Sequence, residues 1–240
     1  MIARVFLLFA LVLMISPALA QEQETGRWEG SATLGLSFVR SNRNTDSFDL
    51  LAGAKNETKS TRILLGAGYL FSRQSGVTNT ETWFVNGDYN FGRQNRVYGY
   101  VNGRLRQDRI QNLDLRTILG AGVGYEWIKQ TGFNVRLEGG LSWLQEDFSN
   151  AGSRSDLNAQ LAYFLDRKLW QGASLRHDLT YYPRLSDLND YYLLAQFVLE
   201  QEISSKWSVN ATIILDYDAT PAPDTKRSTS KVLIGISTKF

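Results

Sequence analysis

His177 is the single histidine of the chain, so a lipid-hydrolysing site would need it or an acidic pair at the rim. A lipid hydrolase working at a membrane needs a nucleophile beside that ring and a polar group to orient it. Asp178 is the nearest carboxylate, but in an alternating segment successive side chains point to opposite faces, so it cannot hold the His177 ring. No nucleophile motif stands close by. Gly120, Gly122 and Gly124 suggest a phosphate loop until the spacing is checked. They lack the G-x-G-x-x-G pattern and open no helix that could bind a phosphate. Glycines on one face of a strand let a wall curve and leave room for large side chains opposite. Asp216, Asp218 and Asp224 have neither the spacing nor the glycine of a calcium loop. The expectation is a protein without catalytic residues, metal or cofactor.

The remaining chemistry-bearing residues are charges, and they fall on the polar face of alternating segments. With a turn centred near Ile110, Arg106 would lie opposite Asp114 and Arg104 opposite Arg116. Like charges directly across a ladder are unfavourable. Arg104, Arg106 and Arg116 would therefore make a basic corner near one mouth of an enclosed lumen. Glu146 would face Asp156, with Asp178, Glu200 and Asp216 at later inward positions. Opposed basic and acidic walls set up a transverse field of the kind that sorts small polar solutes in a pore. Alternatively the same charges pair with one another and with Arg136, Glu138 and Arg176, which would plug the lumen.

Positioning these charges requires strands. From Arg27 to Arg40, apolar and aromatic residues occupy even positions, with polar ones between them, and eleven further segments repeat that two-residue period. The last is Lys231–Phe240, in which Val232, Ile234, Ile236, Thr238 and Phe240 share one face and Lys231, Leu233, Gly235, Ser237 and Lys239 the other. An even strand number places both termini at one end of a closed antiparallel barrel. Tight connections at Gly92–Asn95, Lys129–Thr131 and Ser204–Lys206 are expected at that end. Longer ones, Asp147–Arg154 and Asp218–Ser228, are expected at the other. Pro183, Pro221 and Pro223 fall in the longer set and should interrupt no strand. The closing strand should pair with Trp28–Phe38 and remove the last open edge.

Aromatic spacing separates a membrane barrel from a soluble one. Trp28 and Phe38, Phe133 and Trp143, and Trp207 and Tyr217 are each ten residues apart on one face. Ten strand residues span ~33 Å. Tilted by about 40°, they cover roughly 25 Å of barrel height, that of an outer-membrane apolar band. One girdle would hold Trp28, Phe91, Trp127, Phe133, Trp207 and Phe240, the other Phe38, Trp83, Trp143, Tyr191 and Tyr217. No stretch after residue 20 is apolar for long enough to be a transmembrane helix. Arg4, the apolar run from Val5 to Ile15 and Ala18-Leu19-Ala20 form a cleavable export signal over residues 1–20, leaving one domain over 21–240. Without Arg4 the chain carries 25 basic and 24 acidic residues, a balance that gives no reason to expect nucleic acid as partner. There is no cysteine, so an exported fold must rest on hydrogen bonding and packing.

The opening Trp28-Glu29-Gly30 with Leu34-Gly35, the Asn44-Thr45 turn, the Gly120–Tyr125 strand and Leu137-Glu138-Gly139-Gly140 resemble domain-of-unknown-function family 481. Its members are called salt-induced outer membrane proteins. The resemblance spans nearly all of the mature chain and implies an outer-membrane β-barrel with no catalytic residues to carry over. A strand ending on a terminal aromatic also resembles the closing strand of outer-membrane barrels, which the barrel-assembly machinery reads; Phe240 would carry that signal. The expected protein is all-β: a transmembrane antiparallel up-and-down barrel of about twelve strands in the outer membrane, surrounded by lipid, termini periplasmic, structural or weakly pore-forming. A lipid-modifying enzyme and a soluble periplasmic barrel for an apolar ligand are the alternatives.

Overall fold

The computed structural model describes residues 26–39 and 45–240, with side chains from 26–36 and from Thr45 onward. The export signal and Asn44 therefore lie outside the described residues, as does the side chain of Phe38. Twelve antiparallel strands close into one barrel, each paired with its sequence neighbours and β1 with β12. They are β1 (Trp28–Val39), β2 (Thr45–Glu57), β3 (Thr61–Gln74), β4 (Val77–Phe91), β5 (Val97–Asp108), β6 (Leu113–Gln130), β7 (Phe133–Phe148), β8 (Gly152–Trp170), β9 (Ala173–Arg184), β10 (Asp187–Glu202), β11 (Trp207–Asp218) and β12 (Ser228–Lys239).

Alternation fixes which face is which. On β6, Ala121, Val123, Tyr125 and Trp127 are exposed on the outside, while Gly124 and Glu126 are buried within. On β12, Val232, Ile234 and Ile236 face outward, and Leu233, Gly235 and Ser237 are buried. Ile234 exposes 70% of its surface. A sheet with its aliphatic side chains outside and its charges inside is inverted relative to a water-soluble barrel, and it is stable when lipid covers the outside. Closure also satisfies the backbone. Lipid offers no hydrogen bonds, so a spanning sheet cannot leave an edge there.

The turns at the termini end span 58–60, 92–96, 131–132, 171–172 and 203–206. Gly132 and Gly172 adopt φ of +79° and +75°, a left-handed conformation that only glycine takes without steric cost in so short a turn. At the other end, here the loop end, the described connections are 75–76, 109–112, 149–151, 185–186 and 219–227. The long connection expected over Asp147–Arg154 is absent. β7 runs to Phe148 and β8 begins at Gly152, so three residues turn the chain. Asp147 and Ser153 continue the strand pattern on the outer face, and Arg154 continues it on the lumen face. Pro183 also departs from expectation, lying inside β9 one residue before its end. The β9–β10 ladder shifts register between Asp187 and Tyr191 at that place, where a missing N–H disturbs pairing least.

The closing seam is shorter than the full pairing expected. β1 and β12 pair from Ser31↔Lys239 to Leu34↔Ile236. Gly30 and Phe240 then exchange backbone hydrogen bonds of 2.8 and 3.1 Å. Inside, the Thr33 and Ser237 hydroxyls meet at 2.6 Å, and Lys231 reaches past Gly35 to an ion pair with Asp49 on β2.

Candidate functional site: an ionic latch across the lumen

Inward positions at the loop end carry the densest set of charges. β5 supplies Arg106 and Asp108, β6 Arg116, β7 Glu146, β8 Arg154 and Asp156, β9 Arg184, β10 Asp190, and β11 Asp216 and Asp218. Arg106 donates to Asp108 at 2.9 Å and to Asp216. Asp216 also accepts from the Tyr192 hydroxyl at 2.5 Å, and Asp108 from Thr82 at 3.0 Å. Arg116 Nε donates to Glu146 at 2.5 Å, and its Nη2 meets Asp218. Arg154 also pairs with Glu146, reaches Asp218 at 3.5 Å and donates to Thr220 at 2.7 Å. Arg184 holds Asp156 and Asp190, both at 2.7 Å.

Glu146, between Arg116 and Arg154, is 0% exposed. The Arg116 guanidinium stacks 4.0 Å above the Tyr192 ring, which stacks on Tyr182 at 5.8 Å. Ile118, Leu144, Tyr182 and Tyr192 form an apolar cluster beside the charges, packed against Leu194.

These pairs cross the barrel. β5 and β11 are six strands apart in a ring of twelve, diametrically opposite, and β6 is one strand nearer. A round barrel of twelve strands would be about 24 Å across between backbones. An arginine and an aspartate together reach roughly half that. The Arg106–Asp216 and Arg116–Asp218 pairs thus draw opposite walls together and obstruct the lumen at this level.

Several expected registers are corrected. Arg106 lies opposite Arg116, and Arg104 opposite Ile118, because the connection is a 3-10 turn over Arg109–Gln111 ending on left-handed Asn112. The like-charged pair is tolerated because each guanidinium meets a carboxylate of β11. A shift between Leu113 and Leu115 turns Leu113 inward and Asp114 outward, where Asp114 accepts from Ser149 at 2.6 Å. Asp114 is therefore absent from the lumen. Glu146 lies opposite Arg154, not Asp156, because the shorter β7–β8 turn moves the centre of the hairpin. Asp156 lies opposite Leu144 and turns to Arg184.

Asp108, Arg154, Arg184, Asp190 and Asp218 were missed among the site residues because they lie beyond the apolar segments that marked the strands, and Tyr192 because it lies between two apolar positions of one. Counting every second residue forward from Asn102, Asp178 and Asp216, and backward from Asn158 and Leu194, would have placed them. The termini half holds a separate set: Arg136 and Arg176 approach Asp166 at 3.9 and 3.0 Å, and Tyr98 donates to Glu138 at 2.8 Å. In the turn after β4, Arg93 binds Glu57 and Glu126, each at 2.5 Å. Burial works against its charge, but the two carboxylates hold the guanidinium above its ordinary range.

On the outer face, Trp28, Phe91, Trp127, Trp207 and Phe240 are exposed toward the termini end, with Phe133 half-buried among them. Toward the loop end, Trp143 donates to Ser155 at 2.6 Å and Trp83 to Gln107 at 2.5 Å, and Tyr217 stacks on Tyr191 at 5.4 Å. His177 also faces outward, with the Tyr163 hydroxyl on its Nδ1 and the Phe197 ring 6.1 Å away. Asp216 and Asp218 are taken up by arginines, and Asp224 sits in the loop before β12. Among the described residues no group of three His, Asp or Glu is arranged to hold a metal ion.

The model of a family described as "Protein of unknown function, DUF481" matches residues 32–240. No curated protein matches the chain. Among solved structures, the NanC porin is similar at 10% identity over 89% of this chain and 100% of its own, with a TM-score of 0.52. The COG4313 outer membrane channel from Pseudomonas putida F1 is similar at 11% identity over 94% and 98%, with a TM-score of 0.51. At these identities the likeness concerns the outer-membrane barrel fold alone.

Proposed function

The chain belongs to the DUF481 family, and from that premise we propose that it is a small outer-membrane barrel whose lumen is latched at the loop end, weakly conducting while the latch holds. One observation carries this reading: Arg106 and Arg116 pair with Asp216 and Asp218 across the barrel. Release of those pairs would open a passage for small ions and polar solutes. The latch residues named above comprise four arginines and six carboxylates, so a released mouth favours cations. The aromatic bands, Trp28, Trp127, Phe133, Trp207 and Phe240 at one end and Trp143 and Tyr217 at the other, would sit at the two membrane interfaces among outer-membrane lipids. The termini end would face the periplasm, and the barrel-assembly machinery would engage β12 through Phe240.

Planar-bilayer recording of the refolded protein tests this. The wild type should give small, infrequent currents. The Arg106→Gln/Arg116→Gln double variant, which releases the same pairs and keeps all six carboxylates, should give larger, cation-preferring ones. Equal conductance in the two proteins would show that the latch does not control the lumen.

A further inference from the structure

The outer wall of β7–β10 is dented. Register lines up Phe133, Arg167, Leu175 and Leu199 in an outward row at the termini end, and Gly139, Leu161, Tyr181 and Leu193 in an outward row three steps toward the loop end. At the loop-end side of this stretch lies a groove of about 440 Å³, walled by Leu137, Leu161, Tyr163, Leu179, Tyr181 and Leu193. It is open because the side chains that would fill it are missing. Gly139 has none, and a Cβ there would meet only Leu161 Cδ2, at 3.9 Å. Ala195, opposite Leu179 on β10, stops at a methyl group.

At the termini end of the same wall stands a cation without a counter-ion. Arg167 is exposed, its guanidinium lies 5.4 Å from the centre of the Phe133 ring, and it has no carboxylate partner among the described residues. It is the one formal charge in the four outward rows from Phe133 to Gly139. A cation on an apolar wall belongs at a membrane interface, where lipid phosphate is the anion at hand. One row further in, His177 has the Tyr163 hydroxyl on its Nδ1, and its Nε2 is without a partner among the described residues. A polar atom facing hydrocarbon is costly unless something meets it. From Arg167 to Leu161 is six residues, ~20 Å of strand. Tilted by about 40°, that is roughly 15 Å of depth, one leaflet of a hydrocarbon core.

We propose that this wall holds one glycerophospholipid of the leaflet at the termini end, with its phosphate on Arg167, its ester region against His177 and an acyl chain in the groove. The inference rests on the outer-membrane reading above and not on the latch. The order along the wall is the order along such a lipid: a cation, a polar ring, then an apolar trough. A second copy of the chain does not fit as well. Two barrels sharing this wall about a two-fold axis would set two Arg167 side chains at one depth with no anion between them.

Native mass spectrometry of the refolded barrel, titrated in detergent with dioleoyl phosphatidylglycerol and then released from the micelle, tests this independently of conductance. One lipid should be retained per barrel, with saturable occupancy. Dioleoylglycerol, which lacks the phosphate, should bind about tenfold more weakly. Arg167→Gln should weaken the phospholipid by about the same factor, and so should Gly139→Leu, which fills the groove. Should Gly139→Leu fail to refold, Ala195→Leu fills the groove from the other side. Arg96→Gln removes an exposed cation at the same end, in the turn between β4 and β5, and should change nothing. Equal retention of the two lipids overturns the proposal, as does retention in Arg167→Gln and the groove variant that matches Arg96→Gln. A barrel that stays in solution once detergent is removed refutes the outer-membrane reading itself, and this proposal with it. Failure of the latch leaves the lipid readout unmoved.

Discussion

Replacing Glu146 by glutamine keeps the size of the side chain and removes its charge. The native carboxylate is fully enclosed and is shared by Arg116 and Arg154. Removing one partner from a buried ion pair typically costs 3–5 kcal/mol, because the other charge stays in low dielectric. Arg116 keeps Asp218, and Arg154 keeps Asp218 at 3.5 Å and Thr220, so part of that cost is recovered. A loss of about 2–4 kcal/mol is therefore expected for Glu146→Gln. The control is Glu81→Gln, which breaks a 3.0 Å pair with Arg109, a guanidinium 56% exposed at the rim. Exposed pairs contribute about 0–1 kcal/mol, so this variant should be nearly silent. Urea unfolding followed by tryptophan fluorescence in lipid vesicles measures both. Equal shifts in the two variants would refute the claim that the latch is a desolvated, stabilising network.

Glycine positions give a second comparison. A Cβ on Gly122 would meet the Gly139 carbonyl and the Gly140 Cα, backbone atoms that cannot move aside, so Gly122→Ala should cost several kcal/mol and reduce the folded fraction on heat-modifiable electrophoresis. At Gly99 the conflict is with the Phe91 ring alone, so the defect of Gly99→Ala should be relieved by a second change, Phe91→Leu. Deleting Phe240 removes its backbone exchange with Gly30 at the seam as well as the terminal aromatic, and should lower the amount of barrel recovered in outer membranes. An unchanged yield would argue against Phe240 as the assembly signal.

The barrel was legible in the sequence because two-residue alternation is a local property, and each strand carries it in its own residues. Strand number, sidedness and the inward parity of Arg104, Arg106, Arg116, Glu146 and Asp156 all follow from that period. Register was not legible wherever a turn broke symmetry. The 3-10 turn after Asp108 and the shift between Leu113 and Leu115 moved Arg106 to Arg116 and turned Asp114 outward. A one-residue change in a turn exchanges faces, so turn geometry decides pairs that apolar spacing cannot.

The sequence by itself determined that this chain makes strands with an apolar outside and a charged inside, and which charges face inward on most of them. Only the tertiary structure decided what those charges meet. Arg106 and Asp216 are 110 residues apart, and Arg116 and Asp218 are 102. No periodicity relates such positions, because a partner across the lumen is chosen by closure of the ring and by the flattening that brings opposite walls within reach. The packing of Tyr100, Gln160 and Asn102 onto Gly120, Gly122 and Gly140 has the same origin. Each glycine was visible along the chain, but their alignment across neighbouring strands exists only once the registers are set.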